Sequence, residues 1–347
     1  MGDPQPGGDD RWGAHRVTSD HARWFCTPAT ALLGITYPLV SAPMGDVSGG
    51  ALAAAVSDAG GLGMLGVGYA DAAWLAKEFT TAAGRRVGCG FITWRLAEEP
   101  ALLDLALERG AAAIMLSYGD IVPFAARVRD AGTPLLCQVS TVREAARALD
   151  DGADILVAQG SEAGGHGTHR RSTLTLVPEV CDVVSQRRTG TPVLAAGGVA
   201  DGRGLAAALM LGAAGALLGT RFLATSEALV RPGAQERIAR ATGDDTLTTT
   251  VYDQVRGVRW PTGYASRVLA SPFTAAWHGT DENLLLDQGL CEATLQYRSG
   301  SAHDDVDVVA VTAGEAVGLV SRPEPAATVV DVVVADALAA LEAHSPA

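Results

Sequence analysis

The feature that most constrains the fold of this chain is a repeating beat of short apolar run, turn and amphipathic segment, sustained from Thr27 to about Val230. Eight of the runs read as strands: Leu39 to Ala42, Gly63 to Val67, Val87 to Phe91, Ala112 to Leu116, Leu135 to Val139, Asp154 to Ala158, Val193 to Ala196 and Ala216 to Leu218. Helices fill the intervals, among them Gly49 to Ala59, Pro100 to Arg109 and Thr141 to Leu149, with Asp71 and Asp201 placed as N-caps. Strands buried on both faces and alternating with helices imply a parallel sheet, and eight such units imply closure into a TIM (β/α)8 barrel of α/β class. An open doubly wound sheet is the alternative that the pattern alone leaves.

After Val230 the beat fails. Residues 233–305 mix Thr, Asp and Gly with single aromatics such as Tyr252, Trp260, Tyr264, Phe273 and Trp277, which reads as a mostly helical cap over the barrel mouth or as a peripheral decoration. The expected organisation is an irregular or disordered tail over 1–27, the barrel over 28–232, the cap over 233–305, and helices over 306–347 that pack back on the barrel. Thr312 to Leu319 and the Ala/Val-rich tail supply those last helices, frayed from His344 onward.

A length of 347 residues suits one barrel plus an insertion, since such barrels take about 250 residues. The net charge of −13, with no Lys/Arg run, argues against nucleic acid or an anionic membrane as partner. Five widely spaced cysteines without a C-x-x-C suggest neither a disulfide framework nor a zinc site, and fit a reducing cytoplasm. The first 23 residues lack the apolar core of a signal peptide, and nowhere do about 18 apolar residues run together.

Two of the strands end in glycine, at Gly197-Gly198 after Ala196 and at Gly219-Thr220. Bare backbone lets successive N–H groups approach an anion, and the loops after the last two strands are the usual phosphate site of a TIM barrel. The strand before them ends in Gln159-Gly160 and leads through Glu162-Ala163-Gly164-Gly165 to His166. An imidazole above a strand end is placed to give or take a proton near neutrality. Arg221 faces either the phosphate or a buried carboxylate. His166 and His169 form an H-x-x-H pair without a third ligand, so no metal is expected. No G-x-G-x-x-G opens a first βαβ unit, which leaves a Rossmann site unsupported.

The runs VAQGSEAGGHGTHR and TPVLAAGGVADGRGLAAALMLGAAGALLGTRFLAT resemble signature segments of the nitronate monooxygenase (2-nitropropane dioxygenase-like) family, which are FMN-dependent TIM barrels. The likeness extends to YPLVSAPMGDVSGGALAAAVSDAGGLGMLG, GFITWRL and MLSYGD, and more loosely to AGEAVGLV, covering about residues 30 to 230. It implies FMN held by Ala42, Pro43, Met44, Gly90, Phe91, Thr93, Gln138, Gln159, Gly160, Gly164 and Gly165, with the phosphate at Ala196, Gly197, Gly198, Gly219 and Thr220. It further implies His166 as the catalytic group, a nitronate or nitroalkane and dioxygen as substrates, and a carbonyl compound and nitrite as products. A homodimer is compatible with the resemblance. FMN-dependent NAD(P)H enoyl-acyl-carrier-protein reductases share the EAGGH and GTRF segments and are the competing reading. A non-redox phosphate-binding barrel and a flavin binder without turnover are the others.

Overall fold

A computed structural model describes residues 23–279, 289–320 and 322–344. In chain order its strands are β1 (Leu39–Ser41), β2 (Met64–Gly66), β3 (Gly88–Ile92), β4 (Ile114–Ser117), β5 (Leu135–Val139), β6 (Ile155–Gln159), β7 (Gly165–Gly167), β8 (Val193–Ala196), β9 (Gly215–Leu218), β10 (Thr246–Thr249) and β11 (Ala265–Leu269). Eight of them form one parallel sheet in the order β1-β9-β8-β6-β5-β4-β3-β2. A parallel bridge between Val40 and Leu62 joins its two ends, which closes the TIM barrel.

The strands carry two cores because side chains alternate across a strand. Along β6, Ile155 and Val157 join Val40, Met64, Leu136 and Leu194 in the barrel interior, while Leu156 and Ala158 face the helix layer. Side chains therefore fill the barrel, and ligands are confined to its ends. Asp71 and Asp201 each accept a backbone N–H at a helix start, as the sequence suggests, and Thr141 does the same. After β9 the chain makes only the short helix Thr220–Leu223 before leaving the barrel. The long helix Ala326–Ala343 returns to pack on helices Gly202–Met210 and Gly50–Asp58, in the place of the eighth barrel helix. None of the described helices is long and apolar enough to cross a membrane.

Three expectations are revised. Arg23 to Thr27 are not an irregular tail: Phe25 is buried, and Thr27 caps helix Pro28–Leu33 while its hydroxyl donates to Ala214 O. Residues 1–22 lie outside the described residues. The segment after Val230 is not only helical, for alongside helices Pro232–Arg240, Val251–Arg256, Pro272–Trp277 and Gly289–Ala302 it supplies β10 and β11. These join β7 in an antiparallel sheet ordered β10-β11-β7. Their residues, TLTT and ASRVL, are too polar to mark a strand by hydrophobicity, and β7 pairs with a partner about a hundred positions away in sequence. Finally, Thr312 to Leu319 is not a full helix: Thr312 bridges Val268, and the segment forms only the 3-10 turn Glu315–Leu319.

Candidate active site

A cavity of about 460 Å³ opens at the C-terminal ends of the barrel strands. Its lining includes every site residue expected from sequence except Thr93 and Gly160. Thr93 starts the helix Thr93–Leu96 and is buried, its hydroxyl without a hydrogen-bond partner among the described residues. Gly160 answers to packing: a Cβ there would fall 2.1 Å from Thr173 Oγ1. Packing also accounts for Gly90 and Gly164, where a Cβ would meet the Pro43 ring at 2.3 Å and Gly314 N at 2.5 Å. A larger, more open depression of about 660 Å³ lies near Cys181 and Met210, below the N-terminal ends of β8 and β9. None of its lining residues belongs to the site expected from sequence.

Gly197 and Gly198 take φ values of +96° and +74°, the left-handed conformation that favours glycine. Gly219 differs. Its φ of −106° suits an L residue, and a Cβ would meet only Ala42 Cβ at 3.5 Å and Met44 Sδ at 3.6 Å. Neither backbone strain nor crowding within the chain requires glycine here, so the open side of Gly219 faces room in the cavity. Beside it, Thr220 Oγ1 accepts the N–H of Gly314 at 2.9 Å, which leaves the hydroxyl proton free to donate. Arg221 does not serve this corner: it is buried and ion-paired with Glu324 at 3.3 Å.

His166 sits in the middle of β7, opposite Ser266 of β11. Its Nε2 lies 2.9 and 3.0 Å from the two carboxylate oxygens of Asp253, on helix Val251–Arg256. The indole of Trp260 stacks on the imidazole with centroids 3.6 Å apart and planes 7° from parallel. Trp260 Nε1 donates to the Tyr69 hydroxyl at 2.8 Å, and Tyr118 packs edge-on against Trp260. Below the imidazole, Gln138 Nε2 donates to Gln159 Oε1 at 2.8 Å, and the Tyr118 hydroxyl donates to the carbonyl of His166 at 2.8 Å. Burial raises Tyr118 above its ordinary pKa and pushes Tyr69 up to about 12, so both remain hydroxyl donors at neutral pH. His169 turns elsewhere, its two ring nitrogens each 3.0 Å from the carbonyl oxygens of Ser161 and Ala265.

Sequence reasoning missed Asp253, Trp260, Tyr69 and Tyr118 as parts of the site. The SYGD run and the aromatics of the divergent segment were the available signals, but nothing in them indicates that they converge on His166.

The nitronate monooxygenase family matches this chain over residues 27–85 and 99–336. The chain belongs to that family. A nitronate monooxygenase from Metarhizium robertsii is 37% identical over 320 residues, 84% of this chain and 88% of the relative. An octahydroindene-carboxyl-CoA dehydrogenase from Mycobacterium tuberculosis is also 37% identical, over 65% of this chain and 64% of that protein. Among solved structures, the nitroalkane oxidase from Streptomyces ansochromogenes superposes with a TM-score of 0.76 at 29% identity, covering 91% of this chain and 99% of that one. As a member of the nitronate monooxygenase family the chain is an oxidoreductase.

Proposed function

We propose that this family member oxidises nitronates, and the nitroalkanes that give rise to them, with dioxygen and bound FMN, yielding a carbonyl compound and nitrite. One observation carries the reading: the imidazole of His166 and the glycine-lined corner at Gly198, Gly219 and Thr220 share a single cavity at the barrel mouth. The residues fit a flavin mononucleotide. Gly219, unexplained by its own chain, leaves space for a phosphate, and the Thr220 hydroxyl has a proton to offer it. Met44, Gly90, Gln138 and Gln159 would line the place of the ring. When bound, FMN supplies the one-electron chemistry that the side chains lack.

His166 acts on the substrate in two ways. Toward a neutral nitroalkane it is the general base that removes the α-proton; toward a nitronate, once protonated, it is the positive partner of the oxygens. Trp260 covers one face of the imidazole and is itself held by Tyr69 and Tyr118. The free cysteines favour a reducing compartment such as the cytoplasm.

The test is to release the cofactor by heat, identify it by chromatography, and measure oxygen uptake and nitrite with a pre-formed nitronate. FMN with both signals is the expected result; FAD, or no flavin, removes the assignment. The dehydrogenase relative favours a second reading, a reductase or dehydrogenase on the same scaffold. Bleaching of the flavin by NADH without oxygen, and no nitronate turnover, would select it.

A further inference from the structure

We propose that Asp253 fixes the tautomer of His166, so that Nδ1 and not Nε2 is the ring atom that takes the substrate proton. The proposal rests on the reading of His166 as the base. Ionised Asp253 has only acceptor oxygens, and both lie within 3.0 Å of Nε2. Nε2 must therefore carry a proton, and in the neutral ring the lone pair belongs to Nδ1. The Asp253 side chain is only 7% exposed, which keeps water from competing for this contact. Trp260 closes one face of the ring. Nδ1 has no hydrogen-bond partner among the described residues and is not among the enclosed polar atoms that lack one. It is the nitrogen left open to the cavity that His166 lines.

The proton transfer balances at these atoms. The substrate Cα–H bond breaks, and its electron pair remains on the substrate, delocalised onto the nitro oxygens. The proton bonds to Nδ1. The ring then carries a positive charge beside the carboxylate at Nε2, and the nitronate forms on its Nδ1 side. Asp253 touches neither substrate nor cofactor in this scheme and is a positioning residue. It arrives on helix Val251–Arg256, in the connection between β10 and β11, whereas the base arrives on β7. The segment after the barrel thus supplies the group that sets which edge of the base is reactive.

Holoenzyme labelled with 15N-histidine provides a readout that needs no variant of Asp253. Two-bond 1H–15N correlation, with the signal assigned by its loss in His166→Asn, is expected to show protonated Nε2 and bare Nδ1. A wild-type ring protonated at Nδ1 and bare at Nε2 would overturn the proposal. In kinetics at equal flavin loading, Asp253→Asn should lower kcat for a neutral nitroalkane on the order of 10²- to 10⁴-fold, as expected when a base loses its tautomer. Its loss on the matched pre-formed nitronate should be much smaller, with Asp253→Glu restoring part of the nitroalkane rate. Wild-type nitroalkane rates in Asp253→Asn, with His166→Asn inactive, would sink the tautomer role alone. Wild-type nitroalkane rates in His166→Asn would sink the base assignment, and this proposal with it.

Discussion

At the scale of single residues, Gly219 and His166 make separable predictions because they line one cavity from different elements. Gly219→Val adds a side chain where the protein itself has room, so the fold should survive while flavin retention is lost. Thermal melting and the flavin-to-protein absorbance ratio check this; a folded variant with normal flavin would move the phosphate elsewhere. His166→Asn should retain the flavin, since the imidazole contacts Asp253 and Trp260 rather than Gly219. Its turnover of neutral nitroalkanes should fall on the order of 10²–10⁴-fold, the usual worth of general acid–base catalysis. Pre-formed nitronates should lose much less, because their α-proton is already gone. Steady-state rates on a matched pair measure the ratio, and equal losses on both would leave His166 only a positioning role.

At the scale of elements, the decisive feature is the small antiparallel sheet that ties β7 to the segment after the barrel. Glycines flank His166 on both sides, so the strand has little side-chain packing of its own. Its position is held by pairing with β11 and by Arg267, which stands opposite Gly165. The Arg267 guanidinium donates to Ser161 O at 3.1 and 3.2 Å and to Thr246 Oγ1 at 3.1 Å, and pairs with Glu315 at 2.9 Å. It is one cation joining the His166 loop, β10 and the Glu315 turn. Arg267→Ala removes these bonds from a largely buried site and should cost about 1–3 kcal/mol of stability. It should also lower kcat more than flavin content, because Arg267 bonds the His166 loop directly and reaches the Gly219 corner only through the Glu315 turn. Denaturant melts and flavin-normalised rates check both; unchanged kcat would show that β11 pairing alone positions β7.

At the scale of the whole molecule, thiol accessibility offers a check on the barrel. Burial pushes the Cys89 and Cys137 thiols well above their ordinary range and Cys181 up to about 11, whereas Cys26 and Cys291 are exposed. A thiolate-seeking reagent at neutral pH should modify two cysteines quickly, a third slowly, and the two strand cysteines only on unfolding; rapid reaction of Cys89 or Cys137 would contradict the packing of β3 and β5. Those strands were legible in sequence because each is a short, mostly apolar run between turns, the pattern that burial on both faces of a parallel sheet favours. The beat of strand and helix therefore determined the barrel, and the glycines at Gly197, Gly198 and Gly219 marked the strand ends where an anion is proposed to bind. His166 stood out as an ionisable ring just beyond a strand end. The roles of the individual glycines did not: Gly90, Gly160 and Gly164 are required by neighbouring protein atoms, and Gly219 is not. Nor could periodicity reveal β10 and β11, whose polar residues become strands through pairing with β7. Only the tertiary structure brought Asp253 and Trp260 onto the imidazole, from 87 residues away in the case of Asp253. The sequence determined the barrel because alternation of buried segments is a local signal. The environment of His166 is set by contacts between distant segments, and those exist only once the chain has folded.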